Sequence, residues 1–176
     1  MSQVSERYAQ AFFSLAQEEN KVSALREEAE QALNVFDNNV KSFLGNSGIT
    51  KQEKKDVLME AFKNADASFR NLLNVLVDSS RAFYTKEVLE DFIKLANQEL
   101  NIQEVLVYSA KPLSEEDSEK IKKAVADKLG KEVIIKNRID HTLLAGTRIY
   151  VNNRVYDSSL KAKVSHLKEE LLKESW

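Results

Sequence analysis

The distribution of helix-breaking residues constrains the fold of this chain more than any other feature of its sequence. Residues 1–104 contain no proline and only two glycines, Gly45 and Gly48, while the single proline, Pro112, comes later. Because Gly and Pro interrupt helices, residues 1–104 are expected to be almost entirely helical. The stretch EVLVYSA just before Pro112 has instead the β-branched composition of a strand.

We therefore predict an α+β protein with two domains. Residues 1–104 would form a bundle of five to six α-helices, and residues 105–176 a small α+β domain in the order strand, helix, strand, strand, strand, helix. The charge changes at the same position, from 12 basic and 17 acidic side chains in the first domain to 14 and 11 in the second. The 176 residues, 43% of them apolar, are enough to build a core.

Apolar residues recur at helical spacing throughout the first domain. A stripe of them runs from Val22 to Phe43, on one long helix or on two short helices in line. Thr50 and Glu53 have the spacing of a capping box and predict the start of a further helix. The remaining core positions are Val57, Leu58, Ala61 and Phe62 on that helix, Phe69, Leu72, Leu73 and Leu76 on the next, and Leu89, Phe92, Ile93, Ala96 and Leu100 on the last.

The first predicted helix, RYAQAFFSLAQEE, has a wider apolar arc than one buried face requires. Two neighbouring stripes make up this arc, and they consist of Tyr8, Ala11, Phe12 and Leu15, and of Ala9, Phe13 and Ala16. The pattern leaves two interpretations open: a helix buried centrally in the bundle, or one wall of a groove for a partner's amphipathic helix. Val75 and Val77 lie outside the core stripe of their own helix, so the groove would lie between these two helices.

The second domain contains signals for where its elements begin and end. Ser114 and Asp117 have capping-box spacing at the start of a helix that Gly130 would end. Asn152 and Asn153 suit a two-residue hairpin turn between two strands. The apolar stripes predicted for its two helices are Ile121, Ala124, Val125 and Leu129, and then Leu160, Val164, Leu167 and Leu171.

The sequence has few residues of the types that catalyse reactions or bind metals and cofactors. The sequence has no cysteine, no glycine-rich phosphate loop and only two histidines, His141 and His166, so we expect no cofactor and no metal site. His141 beside Asp140 suggests a hydrolase, but Asp140 and Thr142 also suit the turn before a strand. The formal net charge is −2, and no basic patch with interleaved aromatic residues favours nucleic-acid binding.

Four segments in order resemble one known family. They are ERYAQAFFSLA at 6–16, NLLNVLVDSSRAFYTKEVLEDF at 71–92, VYSAKPLSEED at 107–117 and IDHTLLAGTRIYVNNRVYDSSLKAKVSHLKEEL at 139–171. This arrangement is similar to the delta subunit of bacterial and chloroplast F-type ATP synthase, called the oligomycin-sensitivity-conferring protein in mitochondria. The last segment is the most specific, because its turn, glycine-bearing strand, hairpin and Asp-x-Ser helix start follow in a fixed order.

The resemblance implies a non-catalytic subunit of the stator, the part of the synthase that holds the catalytic head still. The helical domain would bind the amphipathic N-terminal helices of the alpha subunits, and the small domain would contact the b subunits of the peripheral stalk. In such a chain Tyr8 and Ala11 match groove positions of the first helix, and Val75 and Leu76 match the facing helix. One copy per complex is implied, at the cytoplasmic face of the cell membrane.

The sequence predicts no segment that would insert into a membrane. No apolar run is long enough to span a bilayer, and the first residues lack the apolar core of a signal peptide. Contact with the membrane would therefore be indirect, through the complex.

The alternative function for this chain is a nucleic-acid-binding α+β module attached to a helical partner-binding domain.

Overall fold

The chain folds into two compact units, residues 1–100 and residues 101–176. The computed structural model describes residues 3–143, 145–151 and 154–158. Within this part of the chain the first unit is helical and the second combines a four-stranded sheet with one helix. The predicted α+β class is confirmed. The first strand begins at Ile102, so the predicted domain boundary after residue 104 falls inside it.

Six α-helices and one 3₁₀ turn form the described part of the first unit. In chain order they are α1 (Gln3–Glu18), α2 (Val22–Leu33), α3 (Asn38–Gly45), α4 (Lys51–Ala61), α5 (Ala67–Asp78), the 3₁₀ turn (Ala82–Tyr84) and α6 (Thr85–Glu99). The stripe from Val22 to Phe43 therefore lies on two helices. Asp37 separates them, because its carboxylate accepts hydrogen bonds from the first backbone N–H groups of α3.

Side chains at the N-termini of α4 and α5 fix where these helices start. Thr50 accepts a hydrogen bond from the backbone N–H of Glu53, and the Glu53 carboxylate accepts one from the backbone N–H of Thr50, so the predicted capping box is confirmed. Asp66 caps α5 by accepting a hydrogen bond from the backbone N–H of Ser68 at 2.8 Å. Both starts follow from short local sequences.

A cluster of phenylalanine rings forms the centre of the first unit. The Phe12 ring centroid lies 4.5 Å from that of Phe92 and 6.4 Å from that of Phe69. Phe62 extends the cluster, 5.5 Å from Phe69 and 5.6 Å from Phe36. Burying each ring stabilises the fold by about 1.5–3 kcal/mol, and their mutual contact ties α1, α5 and α6 together.

The apolar arc of α1 divides differently from the two predicted stripes. Its buried side consists of Ser5, Ala9, Phe12 and Ala16. Small residues at three of these four positions let α1 lie close to its neighbours. Tyr8 and Leu15 are half-buried beside this side, and Ala11 is exposed. Within the apolar arc of α1, solvent therefore reaches the edge, and the arc has no separate second stripe.

Some predicted core positions of the first unit are wrong. Val57 and Ala61, one turn apart on α4, are exposed, because α4 turns the face that contains Leu58 toward the core. Val77 was expected to lie outside the core and is buried. It follows Leu73 by four residues and therefore shares its side of α5.

Two buried polar pairs connect helices that are distant in sequence. The Ser5 hydroxyl on α1 donates a 2.8 Å hydrogen bond to the Asp91 carboxylate on α6. The buried Arg26 on α2 donates to the side-chain carbonyl of Asn97 on α6 and forms an ion pair with Glu30. Because an unpaired buried polar group costs free energy, each pair favours one arrangement of its two helices.

The second unit is a mixed sheet with a crossover helix. Its elements are β1 (Ile102–Ser109), α7 (Glu115–Leu129), β2 (Glu132–Ile139), β3 (Thr147–Val151) and β4 (Arg154–Asp157). The strand order is β2-β1-β3-β4, with β1 and β2 parallel and the other pairs antiparallel. The parallel pair requires the α7 crossover, and α7 covers one face of the sheet.

Four valines form the buried core of the second unit: Val105, Val107, Val133 and Val151. On α7, Ile121, Val125 and Leu129 pack against them. Ala124 was predicted on this stripe but is exposed, and Ala126 packs there instead. Ser114 caps the N-terminus of α7 by accepting a hydrogen bond from the backbone N–H of Asp117, and Gly130, with φ of 63°, caps its C-terminus. Both predicted ends are confirmed.

The turn between β2 and β3 uses the polar residues that resembled an active site. The Asp140 carboxylate accepts hydrogen bonds from the backbone N–H and the hydroxyl of Thr142, at 2.9 and 2.7 Å. These two bonds hold the pKa of Asp140 below its usual value. His141 is exposed in the same turn. The predicted hairpin asparagines at 152 and 153 and the predicted last helix lie outside the described residues.

Candidate helix-binding groove

A shallow groove runs between α1 and α5 on the surface of the first unit, with a volume of about 210 Å³. Four residues of each helix line it: Tyr8, Ala11, Phe12 and Leu15 from α1, and Ser68, Asn71, Leu72 and Val75 from α5. Six of these eight are apolar or aromatic. The two helices run in opposite directions along the groove, because Tyr8 lies near the C-terminal end of α5.

Three of the four predicted binding residues lie in this groove. Tyr8 and Ala11 belong to the α1 wall, and Val75, with 43% of its surface exposed, belongs to the α5 wall. Leu76 does not belong to it, because its side chain is fully buried in the core of the first unit. The spacing of the sequence gives the reason, since neighbouring residues on a helix point about 100° apart.

Residues that the sequence reasoning did not assign complete the α5 wall. Asn71 and Leu72 precede Val75 by four and three residues, which places all three on one face of α5. The sequence spacing alone could have predicted that these three residues share a face. Leu72 was predicted only as core, and it is buried except for a small surface that faces the groove.

The floor of the groove is a closely packed aromatic ring. Phe12 forms it and is 3% exposed, with its ring held between the rings of Phe69 and Phe92. Packed aromatic rings of this kind have few alternative rotamers. A partner side chain would therefore meet a preformed surface, which lowers the entropic cost of binding.

At one end of the groove Tyr8 is held by polar groups. Arg81 donates a 2.8 Å hydrogen bond to the Tyr8 hydroxyl, and its guanidinium carbon lies 5.5 Å from the ring centroid, at cation–π distance. The neighbouring Ser79 and Arg81 side chains lower the pKa of Tyr8. The hydrogen bond and the cation–π contact favour this position of the Tyr8 ring on the groove wall.

At the other end the first turn of α5 is tied to the C-terminal end of α1. The Ser68 hydroxyl is 2.9 Å from each oxygen of the Glu19 carboxylate. Lys21 forms ion pairs with Glu19 at 3.1 Å and with Asp66 at 3.0 Å. The backbone N–H of Ser68 and the Lys21 ammonium lower the pKa of Asp66. The two walls are therefore joined at both ends.

A larger cleft of about 560 Å³ lies in the second unit, beside the link from β1 to α7. Its lining includes Asp117 and Lys120, which already form contacts within α7. The Ser114 hydroxyl donates to Asp117 at 2.8 Å, and Lys120 pairs with Glu116 at 2.6 Å. The charged side chains of this cleft thus stabilise the first turns of α7.

The described residues contain no group of three or more His, Cys, Asp or Glu side chains placed to hold a metal ion. Among these same residues, none of the helices is both long enough and apolar enough to cross a membrane. Separately, the apolar lining of the groove, with few polar groups, is suited to contact with an apolar face of another molecule.

Sequence comparisons identify the family. A family model described as ATP synthase delta (OSCP) subunit matches residues 4–171. The chain belongs to the ATP synthase delta (OSCP) subunit family. The ATP synthase subunit delta of Bacillus mycoides (strain KBAB4) is 38% identical over 173 residues, covering 97% of this chain and 96% of the relative. That of Bacillus thuringiensis (strain Al Hakam) is 36% identical over the same length.

A solved structure supports the fold of this delta-family chain. A chain in the cryo-EM structure of the Toxoplasma gondii mitochondrial ATP synthase hexamer superposes with a TM-score of 0.67. The alignment covers 97% of this chain and 98% of the other, at 22% sequence identity. The helical unit followed by an α+β unit is thus a fold that this chain shares with that distant structure.

Proposed function

We propose that this delta-family chain is a non-catalytic stator subunit of an F-type ATP synthase. Its first unit binds the N-terminal helix of an alpha subunit in the groove between α1 and α5, and its second unit contacts the b subunits of the peripheral stalk. The link holds the catalytic head while the central shaft rotates, so that proton-driven rotation is coupled to ATP synthesis. Family membership favours this function over the nucleic-acid-binding alternative.

The observation that carries the proposal is the exposed apolar wall of the groove. Leu15 and Val75 present apolar surface to solvent across a floor formed by Phe12. An amphipathic helix laid along the groove would cover this surface with its own apolar face. The occupant would contact Tyr8, Ala11 and Val75, and Leu76 would support the wall from inside the core.

Calorimetric titration of the full chain with a peptide of the alpha-subunit N-terminal segment tests the groove. Val75→Asp places a charge on the apolar wall and is expected to weaken binding at least about tenfold. Val57→Asp is the matched control, because Val57 is 52% exposed and does not line the groove. Absence of binding, or equal weakening by both substitutions, would contradict the proposal.

The role of the second unit is proposed from the same family relationship. One copy of the chain would join each complex, peripheral to the membrane on its cytoplasmic face and without direct insertion. Pull-down of tagged chain from source membranes should recover alpha, beta and b subunits together. Recovery of the head without b subunits, using residues 1–100 alone as bait, would support the division of binding between the two units.

A further inference from the structure

The two ends of the groove carry opposite charge. Arg7 lies one residue before Tyr8 on α1, and Arg81 binds the Tyr8 hydroxyl, so this end is basic. At the other end Glu18 follows Ala11 by seven residues and therefore lies on the same face of α1. Glu19 lies beside it and accepts the hydrogen bond of Ser68.

Neighbouring charges leave this asymmetry in place. Within the described part of the chain, neither Arg7 nor Arg81 forms an ion pair with a carboxylate. Asp78, at the C-terminal end of α5, is paired with Lys55 of α4 at 2.7 Å. At the acidic end Lys21 is shared between two carboxylates, those of Glu19 and Asp66, and Glu18 adds a third, so these four side chains carry a net negative charge.

We propose that these charges determine the direction in which the partner helix lies in the groove. This inference rests on the proposed function. The occupant is an amphipathic helix with a carboxylate that pairs with Arg7 or Arg81 and a Lys or Arg that pairs with Glu18 or Glu19. Tyr8 and Glu18 are ten residues apart, about 15 Å at the rise of a helix, so the two partner charges lie about three turns apart.

Side-chain charge outweighs the dipole of the bound helix in setting its direction. The ends of a helix carry about half an elementary charge each, whereas the side chains carry a full charge. The order of acidic and basic residues along the partner therefore decides which of its ends lies at Tyr8. Each exposed pair is weak, but reversing the helix exchanges two attractions for two repulsions. We expect one direction to exceed the other by about tenfold.

Two designed peptide helices with the same apolar face test this. One carries Glu near its N-terminus and Lys three turns later, and the other carries the same two residues exchanged. Each has a nitroxide label at its N-terminus, and amide spectra of the full chain report which end is broadened. The first probe should broaden amides near residues 79–81, and the second should broaden those near residues 66–68. In about 1 M salt the preference should fall, because the charges are screened.

A variant that neutralises both ends supplies the decisive comparison. In the double variant Arg81→Glu with Glu18→Lys, the new glutamate offsets Arg7 and the new lysine offsets the excess of carboxylates around Lys21. The two probes should then lose their preference and broaden both ends about equally. Glu60→Lys, an exposed substitution on α4, is the matched control and should leave the directions unchanged. If both probes bind in the same direction, the inference about charge is wrong, but the proposal that a helix binds in the groove is still supported. If neither probe binds, the proposed groove itself is contradicted.

Discussion

At the scale of single residues, Val75 and Leu76 are adjacent in sequence and opposite in environment. Leu76 is fully buried, so Leu76→Ala should lower the free energy of unfolding by about 2–4 kcal/mol through lost burial and the cavity left behind. Val75→Ala removes an exposed side chain and should cost less than about 0.5 kcal/mol. Urea unfolding of both variants measures the difference, and similar losses would contradict the assignment of Leu76 to the core.

Asp91 gives the first unit a predicted dependence on pH. Burial raises the pKa of this carboxyl, but hydrogen bonds from Lys94 and Ser5 more than offset it, so the pKa lies below the ordinary 3.8. A lowered carboxyl pKa stabilises the fold above the ordinary value, and this stability is lost as pH falls through the lowered one. Asp91→Asn should therefore cost about 1 kcal/mol near pH 6 and less near pH 3.

The control for Asp91 is Asp127→Asn, which removes an exposed carboxylate of α7. Urea unfolding of both variants, at the two pH values, separates the local contribution of Asp91 from a change in net charge. An Asp91→Asn penalty that stays constant between these pH values would show that the Ser5 and Lys94 contacts do not favour the charged form.

The residue scale also shows how far periodicity alone can assign burial. Val77 follows Leu73 by four residues, so its burial could have been predicted from the sequence. Ser5 likewise precedes Ala9 by four residues on the buried side of α1. Its partner Asp91 is 86 residues away, and helical spacing carries no information about such a distant contact.

At the scale of elements, Gly130 ends α7 in the left-handed region with φ of 63°. A Cβ at this position would have no atom within 4 Å, so a substitution meets only the cost of the backbone conformation. Gly130→Ala should destabilise the second unit by about 1 kcal/mol, and Gly130→Asn by less, since Asn adopts this region more readily. Thermal unfolding measures the stability of both variants. Equal losses of stability would indicate that the positive φ at this position is not the cause of the loss.

Element boundaries were predictable where short local sequences determine them. The capping box of Thr50 and Glu53 starts α4, Ser114 starts α7, and Gly130 ends it. Each of these signals depends on residues within one or two turns, and each was predicted from the sequence. The orientation of α4 was not found. Val57 and Leu58 are equally apolar neighbours, and only the helices that pack against α4 decide which one is buried. The groove between α1 and α5 depends on tertiary packing in the same way.

At the scale of the whole molecule, the described residues of the two units form cores of very different size. Twenty buried apolar residues form the core of the first unit, whereas four valines form that of the second within the described residues. Buried apolar area is the main source of stability, so the second unit should unfold at the lower temperature. Hydrogen exchange followed by mass spectrometry during heating resolves the two units separately.

Val107→Ala tests whether the units unfold independently. Val107 is fully buried in the smaller core, so the substitution should cost about 2 kcal/mol and lower the melting temperature of the second unit by roughly 10 °C. The first unit should be unaffected, because no residue of its core is changed. Leu73→Ala, in the larger core, should have the converse effect. A single transition that both substitutions shift equally would show instead that the two units unfold cooperatively as one body.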